Sequence, residues 1–162
     1  MANAANTTAL GLSARVGFGD GWVTTVAYSE GITQLDLKQS SMFTGANTLH
    51  SRSYGVAISK RGLFDDTDSL GLAISRPVQI YAGNLDLTAA TSIDKTSRNL
   101  TFSHETLSLA SGTPETDLEL GYVTTFLDGA LALQANAGYQ MNVNGQAGTN
   151  SLAVLSRAKI NF

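Results

Sequence analysis

Apolar and polar residues alternate along much of the chain, and the alternation is clearest between Leu131 and Val143. Odd-numbered positions in this segment are apolar or aromatic, whereas even-numbered positions carry amides or small residues. A period of two places these two sets on opposite faces of a β-strand. Helical periodicity is hard to find in the rest of the chain. The pattern therefore predicts an all-β protein.

Turn residues divide the alternating segments into nine predicted strands. Residues 19–21 and 127–129 carry the Asp-Gly signal of tight hairpins, and longer polar connections lie at residues 38–50 and 144–150. An antiparallel ring made by one chain prefers an even number of strands. Either residues 69–91 form one kinked strand, giving eight, or further strands precede these in a longer parent. The predicted strands cover residues 9–18, 22–37, 51–61, 69–80, 84–91, 98–110, 116–126, 130–143 and 150–162.

Composition favours a sheet with lipid on one side and water on the other. The chain has 162 residues, of which 43% are hydrophobic and 14% charged. No apolar run approaches the ~18 residues of a spanning helix, but ~10 residues suffice for a tilted β-strand. Short turns on one side and longer loops on the other are typical of outer-membrane barrels. The predicted fold is an antiparallel transmembrane outer-membrane β-barrel of about eight strands (8–10), forming a single domain over residues 1–162.

Aromatic residues concentrate near strand ends in the apolar phase, as in the interfacial girdles of membrane barrels. A soluble sandwich would place them in the middle of its strands. The chain also ends on an alternating strand with a terminal aromatic, which resembles the signal that the outer-membrane assembly machinery recognises. Its residues are Ile160 and Phe162. The predicted interfacial aromatics are Phe18, Trp22, Tyr28, Tyr54, Tyr122, Phe126 and Tyr139.

Six charged residues fall in the polar phase and are predicted to face the lumen. They either form an ion-selective lining or pair with one another to fill a narrow barrel, since charges removed from water must be paired. An eight-stranded barrel has little room inside for more than side chains, which favours the pairing. The six are Arg15, Arg61, Asp117, Glu119, Arg157 and Lys159.

Two places break the alternation. Arg76 is in phase with apolar neighbours, where a lipid-facing Arg costs about 2–4 kcal/mol at the bilayer midplane and little near the interface. Pro77 follows it, so a bulge or strand end is expected at Arg76-Pro77. The apolar phase also flips between Phe102 and Leu107, which predicts a second irregularity near residues 104–106.

No catalytic, cofactor or metal site is predicted. The chain has no cysteine, and its histidines, His50 and His104, form no metal motif and no arrangement of base and nucleophile. Three acids at Asp65, Asp66 and Asp68 lack the glycine and distant glutamate of a calcium loop, so a solvated turn is expected. A net charge of −3 gives no electrostatic case for nucleic acid. No secretory signal is visible at the start, so an exported protein would be seen here in mature or truncated form.

Several segments together resemble a known family. Their sequences are Arg-Gly-Leu-Phe at 61–64, Leu-Gly-Leu-Ala-Ile-Ser-Arg-Pro at 70–77, Gly-Asn-Leu-Asp-Leu at 83–87, Leu-Ser-Leu-Ala at 107–110 and, after Glu115, Asp-Leu-Glu-Leu-Gly-Tyr at 117–122. This order looks like the translocator barrel of subtilisin-like serine-protease autotransporters, over about residues 50–126. The resemblance implies a carboxy-terminal domain in the bacterial outer membrane that anchors and helps to export a covalently linked passenger. Any protease activity would lie in that passenger. The family barrel generally has more strands than this chain can form, and a helix threads its pore.

Two other classes of function stay open. A soluble up-and-down barrel could carry a small apolar ligand, if its apolar side faces inward. A small standalone outer-membrane channel or adhesin could use the loop at residues 38–50. The partners expected from the first interpretation are the lipid bilayer, the outer-membrane assembly machinery and a passenger.

Overall fold

A computed structural model describes residues 2–37, 42–93 and 97–160 of the chain. Ten β-strands account for most of this part, together with a short 3-10 turn at Val143–Gly145, and the described residues contain no α-helix. The all-β, antiparallel prediction is confirmed. The strands are β1 (Ala2–Gly19), β2 (Trp22–Leu37), β3 (Phe43–Ala46), β4 (Leu49–Arg61), β5 (Ser69–Ala82), β6 (Asn84–Ile93), β7 (Leu100–Ser108), β8 (Thr116–Phe126), β9 (Leu131–Met141) and β10 (Ser151–Ile160).

The strands form two sheets. The larger sheet has seven strands in the order β1-β2-β4-β5-β8-β9-β10, and the smaller one has the order β3-β6-β7. The predicted loop at residues 38–50 therefore contains a strand, β3, and the first residues of another, β4. Residues 38–41 of that loop lie outside the described part.

The chain also divides into two compact units. The described residues of the first unit are 2–10, 30–37, 42–52, 79–93 and 97–111. Those of the second unit are 11–29, 53–78 and 112–160. That residues 1–162 form a single domain stays a prediction.

Two tight turns join neighbouring strands of the second unit. β1 and β2 are joined through Asp20 and Gly21, both with positive φ, of 47° and 76°. The backbone amide of Arg61 donates to the carbonyl of Gly21 at 3.0 Å, which places the start of β2 beside the end of β4. A second predicted turn, at residues 127–129, joins β8 to β9 with positive φ at all three positions. In this unit both short turns lie at one end of the sheet, and the connection from β9 to β10 lies at the other.

The first unit contains the three-stranded sheet. β6 pairs with β7 over almost its whole length, with a register shift between Ala90 and Ser92. The irregularity predicted near residues 104–106 is therefore wrong in place, because His104 to Thr106 pair regularly with Thr88 to Asp86.

One glycine separates the two sheets. Gly83, with φ of +143°, stands between β5 and β6, and a Cβ at this position would lie 3.1 Å from the Cα of Leu49. The suggestion that residues 69–91 form one kinked strand is wrong, because β5 and β6 belong to different sheets.

The irregularity expected at Arg76-Pro77 lies at a different place in β5. β5 continues through both residues to Ala82, so no strand end occurs there. However, the pairing of β5 with β8 ends at Ser75, and the exposed phase of β5 slips by one residue between Val78 and Tyr81. Pro77 lacks an N–H and lies just beyond that ladder, where no hydrogen bond to β8 is needed.

Contacts between neighbours fix the strand directions in the second unit. β5, β8, β9 and β10 pair antiparallel, in succession. β1 and β2 are antiparallel because they form a hairpin. The hydrogen bond between Ser29 and Ser53 joins β2 to β4, and the close approach of Gly55 to Ser75 joins β4 to β5, both in antiparallel register. Since direction alternates along seven strands, β1 and β10, the two ends of the order, run in the same direction.

Candidate functional site

The register of the second unit gives its sheet two chemically distinct faces. Successive residues of a strand point to opposite sides, and residues opposite each other on neighbouring strands share a side. Gly71, for example, is opposite Gly121, which is opposite Asn136, and Asn136 is opposite Leu155. We call the side that contains these residues the small-polar face, and the other side the apolar face. The apolar face includes Leu12, Val16 and Phe18 of β1, Trp22, Val26 and Tyr28 of β2, Tyr54, Val56 and Ile58 of β4, Leu72 and Ile74 of β5, Leu118 and Leu120 of β8, Leu133 and Tyr139 of β9, and Leu152 and Val154 of β10.

Large apolar side chains are exposed on the apolar face. Leu72 is 51% exposed and Val154 is 74% exposed. On β4, Tyr54, Val56 and Ile58 are exposed, whereas the small residues between them are half-buried. Leu49 is the single hydrophobic residue that is buried among the described residues. On β4 and β5 the apolar side is thus the more exposed one, the reverse of a water-soluble core. On β10 both sides are exposed.

All seven predicted interfacial aromatics lie on the apolar face. Phe18 and Trp22 are directly opposite each other beside the β1–β2 turn, and register places Tyr122 at the same level on β8. Tyr28 and Tyr54 are neighbours at a second level, six residues further along β2 and β4 from Trp22 and Lys60. Phe126 ends β8 and Tyr139 lies near the far end of β9. The prediction that the aromatics lie near strand ends therefore holds for Phe18, Trp22, Phe126 and Tyr139. It is wrong for Tyr28, Tyr54 and Tyr122, which lie in the middle of their strands.

A cation accompanies the aromatics at each level. The Nζ of Lys60 lies 5.7 Å from the centre of the Trp22 ring, and the guanidinium of Arg76 lies 5.6 Å from that of Tyr54. Sequence reasoning treated Arg76 as an interruption and did not select Lys60. The phase of Lys60, two residues after Ile58, was a signal that could have identified it.

The six charges predicted to face a lumen share the small-polar face. Asp117 and Glu119 are opposite Ser75 and Ala73 of β5, and Arg157 is opposite Gln134 of β9. No salt bridge is found among the six in the part of the chain that the structure describes. The Oδ1 atom of Asp117 is inaccessible to solvent and has no hydrogen-bond partner among the described residues. Arg15, Arg61, Glu119, Arg157 and Lys159 are all exposed. That this face lines a lumen stays a prediction.

Asp68 closes the turn between β4 and β5. Its carboxylate accepts hydrogen bonds from the backbone amides of Leu63 at 2.6 Å and Phe64 at 2.9 Å, and from the hydroxyl of Tyr122 at 3.0 Å. Only 1% of Asp68 is exposed. Burial alone would raise the pKa of Asp68, but these hydrogen bonds together lower it below the ordinary value of an aspartate. The expectation of a solvated turn is wrong for Asp68, whereas Asp65 and Asp66 are exposed.

The histidines lie apart. His104 Nδ1 is 2.8 Å from the hydroxyl of Thr88 on the neighbouring strand. The ring of His50 lies 5.9 Å from that of Tyr81, which also stacks on Arg52 at 4.8 Å and donates to Glu30 at 2.6 Å. Within the described ranges, no three residues of the types that bind metals come together.

Ile160, one of the two predicted assembly-signal residues, ends β10 and is 61% exposed. Phe162 lies outside the described residues. At both edges of the larger sheet, in β1 from Ala4 onward and throughout β10, every described side chain is exposed.

Comparisons with known proteins identify no relative of this chain, so its fold is the established result. In the described part of the chain, no helix has the length and apolar character needed to cross a membrane. The chain matches no protein-family model, no curated protein and no solved structure. What is established is therefore an antiparallel all-β protein with one apolar and one small-polar sheet face.

Proposed function

We propose that this protein is an outer-membrane β-barrel that anchors in the lipid bilayer and acts as a translocator for a passenger, without catalysing a reaction. The observation that carries the proposal is the exposure of the apolar face, together with the burial of only one hydrophobic residue, Leu49, in the described part. A contiguous exposed apolar surface of this extent marks a site of contact with membrane or protein.

The dimensions of the strands support lipid as that contact. A transmembrane β-strand needs ~9–11 residues when it is tilted. β8 and β9 have 11 residues each and β10 has 10. Lipid tails cover an alternating apolar face without requiring the strands to bury it against another layer.

The small-polar face supports the barrel part of the proposal. Gly, Ala and Ser fill much of this face on β4 and β5, which suits a narrow interior where bulky side chains do not fit. The six charges on the same face would then line or fill the lumen. The passenger, the recognition of the last strand by the assembly machinery and the outer-membrane location rest on the sequence resemblance.

Exposure favours this function over a soluble ligand carrier. A soluble barrel needs an apolar inside and a polar outside. Here the more exposed residues of β4 are Tyr54, Val56 and Ile58, and the less exposed ones are Gly55, Ala57 and Ser59.

Heat-modifiability on a gel tests the proposal. The chain is refolded with and without detergent, and boiled and unboiled samples are compared. We expect a folded band that migrates apart from the boiled band, only in detergent. Protein that is soluble and monodisperse without detergent would contradict the membrane function and support the ligand carrier. Conductance across a planar bilayer, absent for a plugged barrel, then separates an anchor from a channel.

A further inference from the structure

Charge is distributed very unevenly over the apolar face of the second unit. Among its described strand residues, two charged ones lie on this face, Lys60 on β4 and Arg76 on β5, and both are cations. The acids of β8, Asp117 and Glu119, lie on the opposite face, as does Arg157. Within this unit, the strand positions of the apolar face thus carry two cations and no acid. The carboxylate of Asp68, in the turn before β5, accepts from Tyr122 on the same face, and Glu30 follows Tyr28 in the same phase of β2.

Lys60 lies at the end of the face that is next to the short turns. Its ammonium group donates to the carbonyl of Asp20 in the β1–β2 turn and lies over the ring of Trp22. The side chain therefore extends along the strand, away from the apolar centre. A lysine that lays its stem on apolar surface and its charge at the border behaves as a side chain at a membrane interface does.

Arg76 lies in the middle of β5, six residues after the level of Lys60. Its guanidinium lies over the ring of Tyr54, and both residues line an open cleft of about 550 Å³ together with Tyr28 and Leu12. In the same phase, the next positions after this level are charged on two strands, Glu30 on β2 and Arg52 on β4. The pairing of β5 with β8 also ends one residue before Arg76.

The two cations are spaced as the borders of an apolar band would be. Lys60 is opposite Leu70 on β5, six residues before Arg76, which is ~20 Å along a strand. Long cationic side chains snorkel outward from their backbone, so the charged groups can reach the limits of an apolar band ~25 Å tall. An aromatic ring beside each cation is the usual composition of a membrane interface.

We propose that Lys60 with Trp22, and Arg76 with Tyr54, are two binding sites for the phosphate groups of anionic lipids, one at each border of the apolar face. This inference rests on the proposed membrane function and names the lipid chemistry of that surface. Lys60 holds the turn-side headgroup level, and Arg76 holds the opposite level. A phosphate supplies a negative charge at two levels where the strand positions of this face carry only cations, and ammonium and guanidinium groups each have several N–H donors for its oxygens.

The test compares stability in two kinds of vesicle. The refolded chain is unfolded with denaturant in vesicles of phosphatidylcholine and in vesicles of equal parts phosphatidylcholine and phosphatidylglycerol. The gain from anionic lipid is the ratio of the two folding equilibrium constants. We expect Lys60→Gln and Arg76→Gln each to reduce this gain roughly fivefold, and added salt to weaken it. Arg157→Gln, on the opposite face, is the matched control and should leave the gain unchanged.

Three outcomes would overturn the inference. The wild-type chain could fold equally well in both vesicles, or Arg157→Gln could reduce the gain as much as the two test variants, which would indicate a general effect of net charge. Trp22, the sole tryptophan, could be quenched best by lipids brominated deep in their acyl chains, which would place the Lys60 level away from the headgroups. Failure to fold in either vesicle would instead contradict the proposed membrane function.

Discussion

At the scale of single residues, Asp68 holds the turn between β4 and β5. Two backbone amides, of Leu63 and Phe64, and the hydroxyl of Tyr122 share its carboxylate as acceptor. Part-buried amides that lose their acceptor lose a charge-assisted hydrogen bond that water replaces only in part. The turn therefore depends on this carboxylate being ionised.

We expect Asp68→Asn to lower the free energy of unfolding, because an amide offers one acceptor atom in place of two and loses the charge. The pKa of Asp68 lies below its ordinary value in the folded state, so its ionisation stabilises the fold above the ordinary aspartate pKa. This stabilisation is lost as pH falls through the lowered pKa. Denaturation at several pH values should show the wild type and the variant converging in acid, whereas Asp66→Asn, at an exposed position, should follow the wild type throughout.

Two adjacent residues of β5 test which face meets lipid. We expect Leu72→Lys to destabilise the protein in bilayers by about 2–4 kcal/mol, as cations at the membrane midplane do. Ala73→Lys places the same charge on the small-polar face, opposite Glu119, and should cost little. Unfolding titrations in vesicles measure both variants. A neutral Leu72→Lys would indicate that Leu72 faces water, and equal destabilisation by both variants would indicate that the two faces do not differ in their contact with lipid.

At the scale of elements, glycines set how closely the turns approach their neighbours. Gly19 and Gly21 both have positive φ, of 88° and 76°, but only Gly21 is crowded: a Cβ there would lie 2.6 Å from the carbonyl oxygen of Arg61. Alanine substitutions at the two positions therefore distinguish the cost of backbone strain, which both share, from the cost of a steric clash, which occurs at Gly21 alone.

We expect Gly19→Ala to cost about 1–2 kcal/mol, from backbone strain alone. Gly21→Ala adds the clash and should cost about 2–5 kcal/mol. Chemical denaturation in detergent measures the difference. If the two variants were equally stable, the contact between Gly21 and Arg61 would not be a feature of the folded protein.

Local pattern predicted most of the strands, but not their partners. β2 and β8 have the predicted bounds, because alternation and the Asp-Gly turns are encoded in neighbouring residues. β3 was missed because its four residues are extended by pairing with β6, 39 to 44 positions away, rather than by alternation of their own. The separation of β5 from β6 at Gly83 likewise depends on the close approach of Leu49.

The candidate site was predictable to a similar degree. The alternation of apolar and polar residues was enough to assign the aromatics and the six charges to opposite faces, since a strand has only two faces. Asp68 escaped prediction because its role depends on Tyr122, fifty-four residues later in the chain. No local sequence signal predicts that approach.

At the scale of the whole molecule, the edges of the larger sheet determine how a ring could form. The chain contains no cysteine, so any disulfide formed after two cysteines are introduced joins those two positions. Gly138→Cys with Ala153→Cys, which are opposite each other on β9 and β10, should form a disulfide and serve as the positive control. We expect no disulfide within the chain between Gly17→Cys and Lys159→Cys in bilayers, because antiparallel rings do not join strands of like direction. A disulfide between these two would show a parallel β1–β10 seam.

That β1 and β10 run in the same direction has a consequence for counting. Up and down can alternate along a row of seven strands, but they cannot alternate around a circle of seven, since the first and the last would then be neighbours with the same sense. A closed circle containing this row must accept one like-directed seam or insert an odd number of strands between the two edges. If one strand fills the gap, its direction and both of its neighbours are fixed by the sheet, whatever its sequence.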